Sequence, residues 1–114
     1  MGALREVNLE LGLPTVEQAM RRLTAEIPSS RKLGCTVLKI IHGYGSTGTG
    51  GKIRTAARRN LASMKSRRVI RDFIPGEKFS IFEPCTLSAF SICDALRRDS
   101  DLERYNNGVT FILL

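Results

Sequence analysis

Tryptophan is missing from this 114-residue chain, histidine occurs once and cysteine three times. Cys35, Cys85 and Cys93 are odd in number and form no C-x-x-C pair, which excludes a secreted disulfide scaffold. A single histidine argues against a Cys/His zinc site, and the cysteines read as small buried thiols. No apolar run approaches the roughly 18 residues of a membrane span. The longest, 37–41 (broken by Lys39) and 111–114, have strand length. Residues 1–10 hold no apolar segment of the signal-peptide kind, so the cytoplasm is the expected location and no membrane partner is expected.

What the chain does contain is ordinary in amount: 42% hydrophobic and 25% charged residues, enough for a core and too apolar for disorder. The length fits one domain over 1–114. The charge is less ordinary. The net charge is +7, yet residues 31–71 carry 11 of the 18 Lys and Arg and none of the 11 Asp and Glu. Such a block attracts polyanions, with nucleic acid the leading partner.

Val7, Leu9 and Leu11 alternate with polar residues, so a first strand is expected there. Thr15 with Gln18 forms a capping-box pattern. Val16, Ala19, Met20, Leu23 and Ile27 then recur at helical spacing, and Pro28, Ser29 and Ser30 are expected to stop the helix. Residues 35–41 read as a second strand, parallel to the first because a helix joins them. Ile53, Ala57, Leu61 and Met64 mark the buried stripe of a second helix. A third strand is expected over 69–74, ended by Pro75 and Gly76. A helical excursion at about 84–106 follows, with Leu87, Phe90, Cys93 and Leu96 as its inward face. A final strand covers 109–114. The fold class is α/β: a two-layer α/β sandwich in the order βαβα-β-(α)-β, with a mixed, mostly parallel sheet.

Between the second strand and second helix stand His42 and then Gly43, Tyr44, Gly45, Gly48, Gly50 and Gly51. Glycines allow positive φ and close backbone approach to a ligand. A helix N-terminus favours phosphate. A Walker A loop fails here. Counted back from Gly51-Lys52, its first glycine falls on Ser46, and Ile53 replaces the hydroxyl that holds magnesium. The dinucleotide pattern G-x-G-x-x-G is present in form at Gly43, Gly45 and Gly48, with Asp72 downstream. However, Gly50 and Gly51 would fall in the first helical turns, and the chain is short of two mononucleotide halves. A nucleic-acid phosphate site is the third reading, with Lys52, Arg54 and Arg58 on the backbone. His42, at a strand end, is the one side chain whose ordinary pKa suits proton transfer near neutrality.

His42-Gly43-Tyr44-Gly45 followed by Gly51-Lys52-Ile53-Arg54 resembles the H-G-x-G…G-x-L-R signature of the Smr (small MutS-related) domain family. Residues 9–19 resemble the family's L-D-L-H-G-h-T-v-E-E-A opening (h apolar), and Gly108-Val109-Thr110 its closing G-A-T strand. The resemblance implies a fold similar to the C-terminal domain of bacterial translation initiation factor three. It also implies nucleic-acid binding and, in several members, endonuclease activity on DNA or RNA, metal-dependent in some. Aligned without gaps, the family's acid falls on Glu10 and its histidine on Gly12.

Three functions follow as expectations. In a nuclease, His42 acts as general acid or base, and Glu10 orients it or helps hold a divalent cation, magnesium or manganese. Lys52 and Arg54 then stabilise the transition-state charge. In a non-catalytic module for DNA, RNA or a ribosomal surface, Arg54 and Arg58 carry the binding. In a nucleotide- or phosphate-binding domain, the glycine loop holds the ligand. The scarcity of aromatics, with Tyr44 alone in the loop, argues against extensive base stacking.

Overall fold

A computed structural model describes residues 2–44 and 49–114. Its order is β1 (Ala3–Asn8), α1 (Val16–Lys32), β2 (Cys35–Ile41), α2 (Thr49–Ser66), β3 (Asp72–Pro75), α3 (Pro84–Ile92) and β4 (Val109–Leu113). Short 3-10 segments occupy Gly76–Lys78 and Asp94–Arg98. The sheet order is β1-β2-β4-β3.

The connections dictate the strand directions. α1 carries the chain back along the sheet, so β1 and β2 pair in parallel, as expected. The excursion instead leaves β3 and re-enters as β4 at the same end of the sheet, Pro75 pairing with Thr110 and Ile41 with Val109. β4 therefore runs antiparallel to both neighbours. The sheet is mixed, but with one parallel pairing rather than mostly parallel.

Both faces of the sheet are covered. Leu38, Ile40 and Ile112 point to one face, where they pack with Leu23 and Ile27 of α1 and Ala57 and Leu61 of α2. Val37, Phe111 and Leu113 point to the other, under Phe79, Phe90, Cys93 and Leu96. The excursion thus adds a layer beyond the two expected. A buried charge fastens it. Lys39, 3% exposed, reaches Asp101 at 2.6 Å, Asp99 at 2.9 Å and Glu6 at 3.6 Å. Burial alone would lower the Lys39 pKa, but hydrogen bonds to Asp101 and Asp99 outweigh it and raise the value.

Several boundaries move from their expected places. β1 ends at Asn8, and Leu11 lies in an exposed turn. The Thr15–Gln18 capping box forms in both directions. Pro28 does not end α1, which continues to Lys32. The last turns bury Ile27 and Ser30, and Ser30 accepts a hydrogen bond from Arg5 at 3.0 Å. Those contacts outweigh the backbone bond that proline removes from Thr24. Pro28 is exposed, so Pro28→Ala restores that bond without disturbing the core. It is expected to raise stability by about 1–2 kcal/mol in urea denaturation, part of proline's roughly 3 kcal/mol helix penalty. β3 starts at Asp72 rather than 69, because Ile70 packs into the α1/α2 core from a turn. The long helix expected in the excursion breaks at Cys93, whose φ of −146° and ψ of 101° are extended. As a result Phe90, Cys93 and Leu96 are buried while Leu87 is half exposed.

Candidate functional site

The ends of β1 and β2, the start of β4 and the turn after β3 meet at one edge of the sheet. The N–H groups of His42 and Gly43 both donate to the Gly108 carbonyl, at 2.9 and 3.0 Å. Leu9 N–H donates to Ile41 O at 2.8 Å, which brings the β1 turn alongside. Gly43 adopts φ +73°, and a Cβ there would overlap the Glu10 carboxylate. Glycine suits this positive φ and leaves the Glu10 carboxylate undisturbed. Glu10 thus lies against the backbone of Gly43, while the His42 ring itself is engaged by Gly43 and Thr110.

The His42 ring is fully buried. Nδ1 is 2.8 Å from the Gly43 carbonyl, which can only accept, so Nδ1 carries the proton. Nε2 then accepts from the Thr110 hydroxyl at 2.8 Å. Burial holds the pKa down to about 4 against the ordinary 6.5, and the positive charges of Arg58 and Arg54 add to this against the Gly43 hydrogen bond. At neutral pH the ring is uncharged and both nitrogens are engaged. In this arrangement His42 positions the start of the glycine loop and offers no free nitrogen to a substrate.

Arg58 requires a correction. It was expected on the phosphate backbone, but its guanidinium is built into the domain. Nη1 and Nη2 donate to the two Glu77 oxygens at 2.7 Å each. Nε reaches Thr110 Oγ1 at 3.3 Å, and Nη2 also faces the carbonyls of Asn107 and Val109. Burial alone would raise the Glu77 pKa, but the Arg58 hydrogen bond, a backbone hydrogen bond and the charges of Arg58 and Arg54 together lower it.

The remaining expected residues fall into three groups. Lys52 and Arg54 stand in the first turns of α2, and neither forms an ion pair among the described residues. Gly50 and Gly51 lie inside α2, Thr49–Ser66. Gly45 and Gly48 lie outside the described residues. Tyr44 is 57% exposed at this edge, its ring against Gly108.

The dinucleotide reading loses its acid. Asp72 begins β3 opposite Leu113, at the far end of the sheet, and pairs with Lys65 at 3.0 Å. A divalent-ion site fits poorly as well. Glu77 is committed to Arg58, and no group of three His, Cys, Asp or Glu is placed to hold an ion among the described residues. The basic block itself is dispersed, with Arg31 and Lys32 at the end of α1 and Lys39 buried in β2. Lys52, Arg54 and Arg59 are on α2, while Arg67, Arg68 and Arg71 follow its C-terminal end. No described helix is long and apolar enough to cross a membrane.

Sequence reasoning placed Thr110 only in the closing strand and missed its contact with His42, and it missed Glu77 altogether. Thr110 carried a signal, a polar residue inside an otherwise apolar strand. Glu77 carried none, since only the fold places it beside Arg58.

Comparison with known proteins follows the same geometry. The family model for the Smr domain matches residues 9–78, which covers the β1 turn, the glycine loop and Glu77. Among solved structures, the Smr domain of Thermus thermophilus MutS2 superposes with a TM-score of 0.57 at 23% identity, over 96% of each chain. No curated protein matches.

Proposed function

We propose, from the premise that the chain belongs to the Smr domain family, that it binds nucleic acid along the edge formed by the glycine loop and the first turns of α2. Smr domains are in general nucleic-acid-binding modules. The observation that carries the reading here is the pair Lys52 and Arg54, which have no ion-pair partner among the described residues. Cations left without an ion-pair partner at a helix start, beside a turn that glycine favours, suit phosphate. Arg58 supports the edge from beneath rather than touching the ligand.

Binding of a labelled RNA hairpin and a DNA duplex, followed across a salt series, tests this. Arg54→Glu is expected to weaken binding about tenfold at low salt and to flatten the salt dependence by about one to two charges. Unchanged affinity and slope would remove this edge from the interface.

Cleavage is the second reading, favoured by the Glu10 carboxylate lying against Gly43. On a denaturing gel, products made by the wild type and lost in Glu10→Gln, with binding retained, would assign chemistry to Glu10. No products from the wild type, with or without magnesium or manganese, would leave a binding module.

A further inference from the structure

A wide, open cavity of about 670 Å³ lies beside Tyr44 on the surface, with Asp101, Arg104, Tyr105, Asn106 and Asn107 in its wall. Tyr44 and Tyr105 are 61 positions apart in the sequence. They are 57% and 59% exposed, a large aromatic area for a protein to leave in water. We infer that this cavity seats one unpaired nucleotide, with its base stacked on a tyrosine ring and its phosphate held by Arg104. The inference rests on the nucleic-acid reading above and adds the conformation of the ligand to it.

The wall is held open by its own hydrogen bonds. Glu103, at φ +65°, accepts from Ser80 Oγ at 2.8 Å and Ile81 N at 2.6 Å, which ties one side of the turn to the excursion. On the other side Asn106 donates to Asp101 at 2.9 Å and accepts from Gly108 N at 2.9 Å. Between these ties Tyr105 is forced to φ +54°, a conformation that a bulky residue adopts only when its surroundings dictate it.

The lining chemistry fits a nucleotide. Each base has a π-face to lay on a tyrosine, and the amide group of Asn107 can meet a base edge. Arg104 is exposed and has no ion-pair partner among the described residues. The acid in the wall, Asp101, does not oppose a phosphate freely, because one oxygen meets Lys39 at 2.6 Å and the other Asn106 at 2.9 Å. Tyr44 joins the cavity directly to the glycine-loop edge, so a strand held there has a place for its next base.

The test compares an RNA hairpin with an unpaired loop against a blunt RNA duplex of equal length, by fluorescence anisotropy. Tyr105→Asn removes the ring and tolerates the positive φ, so the turn keeps its fold. It is expected to lower affinity for the hairpin about tenfold and to leave the duplex unchanged, while Tyr105→Phe binds both as the wild type does. Arg54→Glu weakens both ligands. Wild-type affinity of Tyr105→Asn for the hairpin, with Arg54→Glu still weakened, overturns the nucleotide seat alone. If Arg54→Glu also binds normally, or the wild type binds neither RNA, the reading beneath it falls as well.

Discussion

Lowering the pH from 7 to 5 is expected to cost the domain about 2 kcal/mol through His42, rising to about 3 kcal/mol below pH 4. The folded ring titrates at about 4 and an unfolded histidine near 6.5. Between those values the unfolded chain binds a proton that the native state refuses. Stability is therefore full above pH 6.5 and is lost as the pH falls toward 4. Protonating Nε2 would turn an acceptor into a second donor facing the Thr110 hydroxyl, in a site already bordered by Arg58 and Arg54. Glu77, whose charge would favour the protonated ring, is turned to Arg58. Its depressed pKa makes its own contribution fall away only below the ordinary value of 4.5, beneath the pH 7 to 5 comparison. Urea midpoints at pH 7 and pH 5 measure the effect. His42→Asn, which keeps a donor toward Gly43, lowers stability at pH 7 but flattens the slope between pH 6.5 and 5. An unchanged slope in that variant would move the titration to another group.

Arg58→Met is expected to destabilise the fold by about 3 kcal/mol, comparable to losing a core side chain. The change removes two charge-assisted bonds, each worth roughly 1.5–3 kcal/mol when buried and less here, because the Glu77 side chain is 39% exposed. It also unties the Asn107 and Val109 carbonyls and the Thr110 hydroxyl that holds His42. Glu77→Gln keeps the shape and is expected to cost about half as much. A double-mutant cycle of the two should show coupling of at least about 1 kcal/mol. Additive effects would mean that the pair is exposed enough to be worth little. A charge reversal at 58 therefore reports on folding, and loss of ligand binding in such a variant would say nothing about phosphate contact. Arg54 is the position that separates the two questions.

The parts of the fold that were legible in the sequence are those decided by neighbours in the chain. The capping box at Thr15, the aliphatic run of β2 and the final strand are local patterns, and they formed where expected. The errors come from packing between distant segments. Ile70 looked like strand and is core filler in a turn. Pro28 looked like a helix end, and the burial of Ile27 and Ser30 carried α1 past it. The excursion looked like one helix because Phe90, Cys93 and Leu96 share a spacing, but the sheet beneath them needed a bend at Cys93. At the site, His42, Gly43 and Glu10 were visible as a motif, whereas the burial of His42 was not. Arg58 and Arg54 look alike in sequence, and only the position of Glu77 separates a structural arginine from one left for a ligand. Leu13 shows the reverse. It falls where the family's L-D-L-H-G opening has glycine, and it does adopt φ +50° while 92% exposed.

The strand order has a consequence for how the domain assembles during synthesis. β4 lies between β2 and β3 in space but follows every other element along the chain. Until residues 109–113 leave the ribosome, β3 has no strand to pair with. β2 meanwhile presents an open edge of unpaired backbone groups beside its parallel partner β1. Such an edge recruits strands from other molecules. The nascent chain can form the β1–α1–β2 unit early, but the sheet closes only with its last segment, which also delivers Gly108 to His42 and Gly43. The edge that carries His42 and Gly43 and the centre of the sheet are therefore completed in the same step.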